Sequence, residues 1–272
     1  MEVNLNELSK GFELNDYIIN QEKITAIYLS LKLDKPLLVC GQQGAGKTAL
    51  AVVLSKILNA RLIRLQCHDG LDESKVLYDW NIQRQLISIH LSHQDDLSEG
   101  QLFSLENLLQ RPLLQAILSK EQVVLLIDEI DRAESDFEAF LLEVLSDFQI
   151  TIPEIGTIAA VNKPAVIITN NGGRELSEAL LRRCAFLYLD FTDIEQESSI
   201  IRSKTPQILE NLSEDIAIAA AKISDAGHCF NSDLDWARVL LLLDADRYQK
   251  DFWEKTMEML GKECGGAVNN GT

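Results

Sequence analysis

The chain has 272 residues, of which 25 are basic and 42 are acidic, so its formal net charge at pH 7 is −17. A chain of this length, 46% apolar, can bury a hydrophobic core without disulfides, which excludes an intrinsically disordered protein. The acidic excess disfavours nucleic acid as a main partner, because proteins that bind phosphate backbones usually present a basic surface.

The amino terminus, MEVNLNELSK, has no apolar stretch typical of a signal peptide. The apolar runs further along the chain are far shorter than the ~20 residues that a membrane-spanning helix needs. The five cysteines are scattered and form no C-x-x-C pair, which is typical of a reducing compartment. We therefore expect no membrane span and a cytoplasmic location.

Short apolar runs typical of strands alternate with helical patterns from residue 36 onward. The runs are PLLVC (36–40), RLIRLQC (61–67), VVLLID (123–128), AVIIT (165–169) and AFLYLDF (185–191). Runs that are apolar at successive positions suit strands buried on both faces of a parallel sheet. The sequence thus predicts an α/β fold in which a parallel sheet lies between two helical layers.

No strand pattern follows residue 190, and the remainder is predicted to be helical. We therefore expect an α/β domain over residues 1–190 and a small helical domain over 191–264. The tail GGAVNNGT (265–272) is expected to be disordered, because it offers almost nothing to bury.

A glycine-rich motif, GQQGAGKT, lies between the first predicted strand and a helix-favouring stretch. It fits the phosphate-loop pattern G-x-x-x-x-G-K-[ST], in which backbone N–H groups and a helix N-terminus bind the phosphates. Lys47 is expected to neutralise the β and γ phosphates, and the Thr48 hydroxyl to bind Mg²⁺. The remaining phosphate-binding residues are expected to be Gly41, Gln42, Gln43, Gly44, Ala45 and Gly46.

Two adjacent carboxylates, Asp128 and Glu129, follow the apolar run VVLLI. Asp128 is expected to be the second anchor of Mg²⁺, and Glu129 to orient or deprotonate the water that attacks the γ phosphate. Asp131 is expected to do no more than begin the next helix. ATP is favoured over GTP, because the only candidate for the guanine-reading motif N-K-x-D is Asn162-Lys163-Pro164-Ala165, with alanine in the aspartate position.

The run AVIIT is followed by Asn170 and Asn171. A polar side chain at the tip of a strand beside the metal strand can reach the γ phosphate or its water, and Asn171 is the candidate. A loop asparagine is also an ordinary turn former, so the spacing alone leaves both interpretations open.

The order of these features resembles the AAA+ ATPases, specifically the MoxR family and its CoxD-like branch. The likeness extends over most of the chain and includes three long segments: YIINQEKITAIYLSLKLDKPLLVCGQQGAGKT, RLIRLQCHDGLDESKVLYDWNIQRQLISI and FEAFLLEVLSDFQITIPEIGTI. It implies an αβα nucleotide domain with a helical lid, assembled into rings, commonly hexamers, with ATP between subunits.

The resemblance also implies roles for individual residues. Glu129 and Asp128 would form the hydrolytic pair, and Asn171 would be the sensor on its strand. In ELSEALLRRC, Arg183 matches the finger that reaches a neighbour's γ phosphate, with Arg182 as the second candidate; alternatively, both arginines only cap a helix C-terminus.

Two inserted elements characteristic of the family are expected, an extension of the second helix over residues 79–102 and a hairpin over 148–161. Such projections usually face the pore or the client, and the charge favours a protein client. The family implies a partner with a von Willebrand A domain and a role in maturing a metalloenzyme of the molybdenum-containing carbon monoxide dehydrogenase type. The lid departs from many AAA+ proteins, because the stretch FNSDLDWAR has no arginine at the usual nucleotide-sensing position; Arg238 lies a turn later.

The resulting hypothesis is an ATP-hydrolysing remodelling chaperone. Two alternatives use the same phosphate loop. A phosphotransferase would pass the γ phosphate to an acceptor, and a nucleotide-gated binding module would assemble on ATP without needing turnover.

Overall fold

The computed structural model describes residues 3–42, 44–91 and 102–189, together with the isolated positions 198, 201, 202, 213, 216 and 218. Apart from those positions, the predicted lid over 191–264 lies outside the described residues, as do the tail over 265–272, Arg238 and Gln43. The chain divides into two compact units. The first comprises Met1–Gly11, Ile19–Gly41 and Lys47–Tyr188, and the second comprises Phe12–Ile18, Gln42–Gly46 and Leu189–Thr272.

Strands and helices alternate along the described chain. The strands are β1 (Leu37–Cys40), β2 (Arg61–Gln66), β3 (Tyr78–Trp80), β4 (Leu108–Gln110), β5 (Val123–Asp128), β6 (Gln149–Ile152), β7 (Gly156–Ala159), β8 (Ala165–Asn170) and β9 (Ala185–Tyr188). The helices are α1 (Leu5–Leu14), α2 (Gln21–Lys32), α3 (Lys47–Ile57), α4 (Glu73–Val76), α5 (Ile82–Leu91), α6 (Pro112–Leu118), α7 (Ser135–Asp147) and α8 (Glu178–Arg183). Short 3-10 turns lie at Leu105–Asn107 and Ile130–Arg132.

The five predicted strand runs form one sheet in the order β2-β5-β8-β1-β9. Every neighbouring pair in this sheet is parallel, which confirms the predicted fold class. Because the strands are parallel, the loops that follow β1, β5 and β8 leave the sheet at the same edge. The registers bring Asp128 opposite Gln66, and Cys40 opposite Asn170.

Both faces of the sheet are covered, since all six residues of β5 are buried. Leu125 and Ile127 pack on one face in a core cluster with residues of α6 and α7. Successive side chains of a strand point to opposite faces, so Val124 and Leu126 lie on the other face, where α3 contacts β5. This arrangement is the predicted layering of helices on both sides of the sheet.

The range of the expected helix-2 insert, 79–102, takes in the end of β3 and all of α5. β3 pairs antiparallel with β4, which lies beyond the predicted range. Residues 92–101 of the insert lie outside the described part. The residues of the expected hairpin form β6 and β7, paired antiparallel from Gln149 opposite Ala159 to Ile152 opposite Gly156. Among the described residues, none of the helices is long and apolar enough to cross a membrane.

Candidate functional site

Lys47 is the first residue of α3 and directly follows the glycine-rich loop. Its side chain is buried, and its Nζ donates a hydrogen bond of 2.7 Å to the Gly41 carbonyl. Burial lowers the pKa of Lys47 from its usual range, while the nearby carboxylates of Asp131 and Asp128 oppose the shift. The ammonium group is thus held in a partly dehydrated position, where a phosphate would be a strong counter-charge.

The loop interior, Gln42–Gly46, belongs to the second unit. Gly44 and Gly46 have φ angles of 92° and 81°, in the left-handed region that residues with a Cβ rarely adopt. The Ala45 N–H donates to the Gln42 carbonyl at 3.2 Å, and the Tyr17 hydroxyl donates to the Gly46 carbonyl at 3.3 Å. The glycines of the motif are therefore required by the backbone conformation of the loop.

Thr48 and Asp128 meet at the edge of the sheet where β5 ends. The Thr48 hydroxyl lies 3.2 Å from both carboxylate oxygens of Asp128. The described residues contain no group of three or more Asp, Glu, His or Cys side chains suited to a metal. One carboxylate beside one hydroxyl fits Mg²⁺, which usually keeps waters and phosphate oxygens as its other ligands.

Glu129 has a left-handed backbone conformation, with φ 58° and ψ 53°. This conformation is uncommon for a residue other than glycine and is found where the surroundings hold it in place. The Thr169 hydroxyl holds the Glu129 backbone in this conformation, because it accepts a 2.8 Å hydrogen bond from the Glu129 N–H. The same hydroxyl donates a 2.6 Å hydrogen bond to Asp128 Oδ1. The Glu129 carboxylate accepts from Gln66 Nε2 at 2.9 Å and pairs with Arg132 at 3.2 Å.

Arg64 on β2 also contacts the candidate metal anchor. Its Nε and Nη2 lie 3.0 and 2.6 Å from Asp128 Oδ2. The sequence motifs did not predict roles for Arg64, Gln66 and Thr169. The sequence offered two signals for them, the polar residues at alternate positions of RLIRLQ and the threonine at the end of AVIIT. Alternate residues of a strand lie on the same face of the sheet, so such polar residues share one face.

Asp131 does more than begin a helix, so that expectation is wrong. The helix begins at Ser135, whereas Asp131 is a buried member of a 3-10 turn. Its Oδ1 accepts a 3.1 Å hydrogen bond from the Asn171 N–H, and its Oδ2 accepts one of 2.9 Å from the Gly173 N–H. Asp131 thereby ties the loop that carries Asn171 to the turn after Glu129, and the Asn171 side chain is half-buried there.

Arg182 and Arg183 end the short helix α8, and both are exposed. Arg182 Nη2 pairs with Glu178 Oε2 of the same helix at 2.7 Å. Within the residues that the structure describes, no ion pair of Arg183 is found. Of the two arginines, Arg183 is therefore the one whose charge is more available to a group outside the helix.

Comparison with known proteins finds a matching family model, related sequences and similar folds. A family model described as the AAA domain of the dynein-related subfamily matches residues 36–184, more than half of the chain. An uncharacterized protein of Staphylococcus aureus is 26% identical over 236 residues, which cover 79% of this chain and 81% of the relative. An uncharacterized protein of Staphylococcus saprophyticus is 27% identical over 200 residues, which cover 69% of this chain and 66% of the relative.

Solved structures with a similar fold include RuvB of Thermotoga maritima, described as a Holliday junction branch migration motor. It is 19% identical, with a TM-score of 0.54, and the match covers 91% of this chain and 71% of that chain. A single-residue variant of the same protein has a TM-score of 0.55 at 20% identity and covers 94% of this chain and 74% of that chain. At these identities the likeness concerns the fold alone.

Proposed function

Because the chain belongs to the AAA domain family, dynein-related subfamily, we propose that it binds ATP with Mg²⁺ and hydrolyses ATP to ADP and phosphate. The observation that carries this proposal is the meeting of Thr48 and Asp128, whose oxygens lie 3.2 Å apart beside the buried Lys47. A hydroxyl after a phosphate loop, a carboxylate and a partly dehydrated ammonium group together suit a magnesium-bound triphosphate.

Each role follows from the position of a side chain. Lys47 would neutralise phosphate charge, and Thr48 and Asp128 would hold Mg²⁺, which supplies further charge neutralisation on the phosphate oxygens. Glu129 would take the proton of the attacking water as a general base. Gln66 and Arg132 hold the Glu129 carboxylate, and Thr169 holds its backbone, so this base is held from two sides.

We further propose that copies of the chain assemble into a ring, and that this ring is a hexamer. In the ring, Arg183 of one copy would reach the nucleotide of the next copy. The exposure of Arg183 and the pairing of Arg182 with Glu178 support this choice of finger. Asn171, placed next to the Glu129 turn by Asp131, is the proposed sensor. We also propose that the chain divides into a nucleotide domain over 1–190 and a lid over 191–264.

The biological role that we propose is remodelling of a protein client, with a von Willebrand A domain partner, in maturation of a metalloenzyme. This part is supported by the sequence resemblance to MoxR and CoxD-like proteins. A role as a branch migration motor, which is how the Thermotoga maritima structure is described, is disfavoured for this chain, because a net charge of −17 repels a phosphate backbone.

The test compares Glu129→Gln with the matched variant Glu134→Gln, which changes an exposed glutamate five residues further along. Phosphate release and binding of a fluorescent ATP analogue are measured for both variants and for the unchanged protein. Glu129→Gln is expected to keep nucleotide affinity and to lose turnover by about 10² to 10⁴-fold, as expected on removal of a general base. Glu134→Gln is expected to behave as the unchanged protein.

The alternatives give different results in the same assays. Phosphate release without any acceptor contradicts a phosphotransferase. Full client activity of Glu129→Gln, with hydrolysis stopped, would show a nucleotide-gated binding module instead of a motor. A correctly folded protein that binds no ATP would contradict all three.

A further inference from the structure

An ion pair between a buried glutamate and a half-buried arginine joins helix α7 to the loop after β8. Glu138 on α7 is only 1% exposed, and its Oε1 contacts Arg174 Nη1. A buried carboxylate without a partner is strongly unfavourable, so this contact constrains where the Arg174 side chain can lie.

The other nitrogens of Arg174 contact the turn that follows Glu129. Arg174 Nε donates to the Ala133 carbonyl at 2.9 Å, and Nη2 lies 3.5 Å from the Ile130 carbonyl. The planar guanidinium group presents its donors in a rigid fork, which allows one side chain to hold several acceptors at defined angles. Arg174 therefore joins the turn, its own loop and α7.

The second carboxylate oxygen of Glu138 reaches the start of the arginine helix. Glu138 Oε2 accepts a 2.8 Å hydrogen bond from the Ser177 N–H. Ser177 is the N-cap of α8, and its hydroxyl accepts from the Leu180 N–H at 3.3 Å. Because α8 has only six residues, the position of its N-cap determines where Arg183, at its other end, is presented.

From these contacts we propose that Arg174 and Glu138 form a positioning pair that holds α8 so that Arg183 reaches the nucleotide of the neighbouring copy. The inference rests on the proposed function. The carboxylates of Asp128 and Glu129 accept hydrogen bonds from Thr48, Arg64, Thr169, Gln66 and Arg132, and among the described contacts none comes from Arg174 or Glu138. Loss of the positioning pair therefore affects the neighbour's turnover and spares ATP binding in the altered copy.

The first measurement separates nucleotide affinity from turnover. Arg174→Met and Glu138→Gln are compared with Arg111→Met, which removes an arginine that pairs with Asp79 at the surface. For both positioning variants, kcat is expected to fall about tenfold or more, since an arginine finger contributes mainly to the transition state, while the Kd for a fluorescent ATP analogue changes less than about twofold. Arg111→Met is expected to keep both values.

The second measurement asks in which copy the pair acts. Arg174→Met is mixed in equal amounts with Glu129→Gln, which has an intact arginine helix but no general base. Each Arg174→Met site whose neighbour is Glu129→Gln then receives a well-placed arginine. If copies mix at random in a ring, turnover of the mixture should reach about one quarter of the unchanged protein. Arg174→Met alone should keep about one tenth or less, and Glu129→Gln alone about one hundredth or less.

Arg183→Ala mixed with Glu129→Gln is the positive control and should recover to the same level. If this control recovers and the Arg174→Met mixture does not, the pair acts within its own copy, and the inference is wrong. An unchanged kcat in both positioning variants would also overturn it. If Arg174→Met fails to fold, Glu138→Gln takes its place in the mixture, because glutamine keeps the side-chain shape and an acceptor for Ser177.

Failure of the proposed function has a separate signature. If the proposed function is wrong, the unchanged protein releases no phosphate, or Arg183→Ala retains full turnover. Neither result involves a positioning variant. A normal response to Glu129→Gln and Arg183→Ala, with no recovery in the Arg174→Met mixture, rejects only the positioning pair.

Discussion

Lys47 shows at the scale of one residue how function opposes stability. Its pKa is lowered from the usual 10.5 chiefly by burial. At pH values between that lowered pKa and 10.5, Lys47 is protonated more often in the unfolded chain than in the folded one. The free energy of unfolding therefore rises with pH through this range. Below this range the charged form is present in both states and the folded state carries the dehydration penalty, which a bound phosphate offsets.

Lys47→Met is therefore expected to abolish the stabilisation by ATP without lowering stability in the absence of ATP. The lost dehydrated charge offsets the lost hydrogen bond to the Gly41 carbonyl. In thermal melts, the unchanged protein at 100 times the Kd of ATP should gain about 2.7 kcal/mol, whereas Lys47→Met should gain nothing. Lys56→Met, at an exposed position of the same helix, should respond to ATP as the unchanged protein does. A persistent ATP-induced shift in Lys47→Met would contradict the role of this lysine.

At the scale of an element, α8 depends on its surroundings. Isolated helices shorter than about 12 residues are marginal in water, and α8 has six. Its stability therefore comes from the Ser177 cap, the contact of Glu138 with the cap residue and the buried Leu180. A helix held mainly at its start and by one core residue presents its last turn accurately only while those contacts persist.

Ser177→Ala is expected to cost about 1 kcal/mol of unfolding free energy and to lower kcat as well. The matched variant is Asn20→Ala, which removes the equivalent cap of α2, where the asparagine side chain accepts from the Lys23 N–H at 2.9 Å. Both variants should shift denaturant unfolding by a similar amount, and only Ser177→Ala should reduce phosphate release. Equal turnover in the two variants would show that the cap has no part in presenting the arginine.

At the scale of the whole molecule, the net charge of −17 opposes assembly, because identical acidic copies repel one another. Salt screens this repulsion over the Debye length, which is about 30 Å at 10 mM and about 8 Å at 150 mM. The proposed ring is therefore expected to form more readily as the salt concentration rises.

Raising NaCl from about 10 to about 150 mM, at saturating Mg²⁺ and ATP, should increase the assembled fraction and the turnover per copy. Sedimentation velocity gives the assembled fraction, and phosphate release over a range of protein concentrations gives the turnover. Arg183→Ala should assemble and remain slow, which separates assembly from catalysis. A protein that stays monomeric with ATP at all salt concentrations, yet hydrolyses it rapidly, would contradict the ring.

The sequence alone determined the strands of the main sheet and the motif that follows the first of them. Buried strands and phosphate loops are specified by residues adjacent in the chain, so apolar runs and glycine spacing were sufficient. It also placed Thr48 and Asp128 together, because parallel strands send their carboxyl ends to one edge.

Which side chains surround that edge depends on the tertiary structure. Periodicity shows that a strand is buried but not which strand lies beside it, so the contacts of Arg64, Gln66 and Thr169 with the two carboxylates could not be read from the chain. The pairing of Arg174 with Glu138 is of the same kind. It exists because β8 lies beside β5, which brings together a loop and a helix that are distant in the sequence.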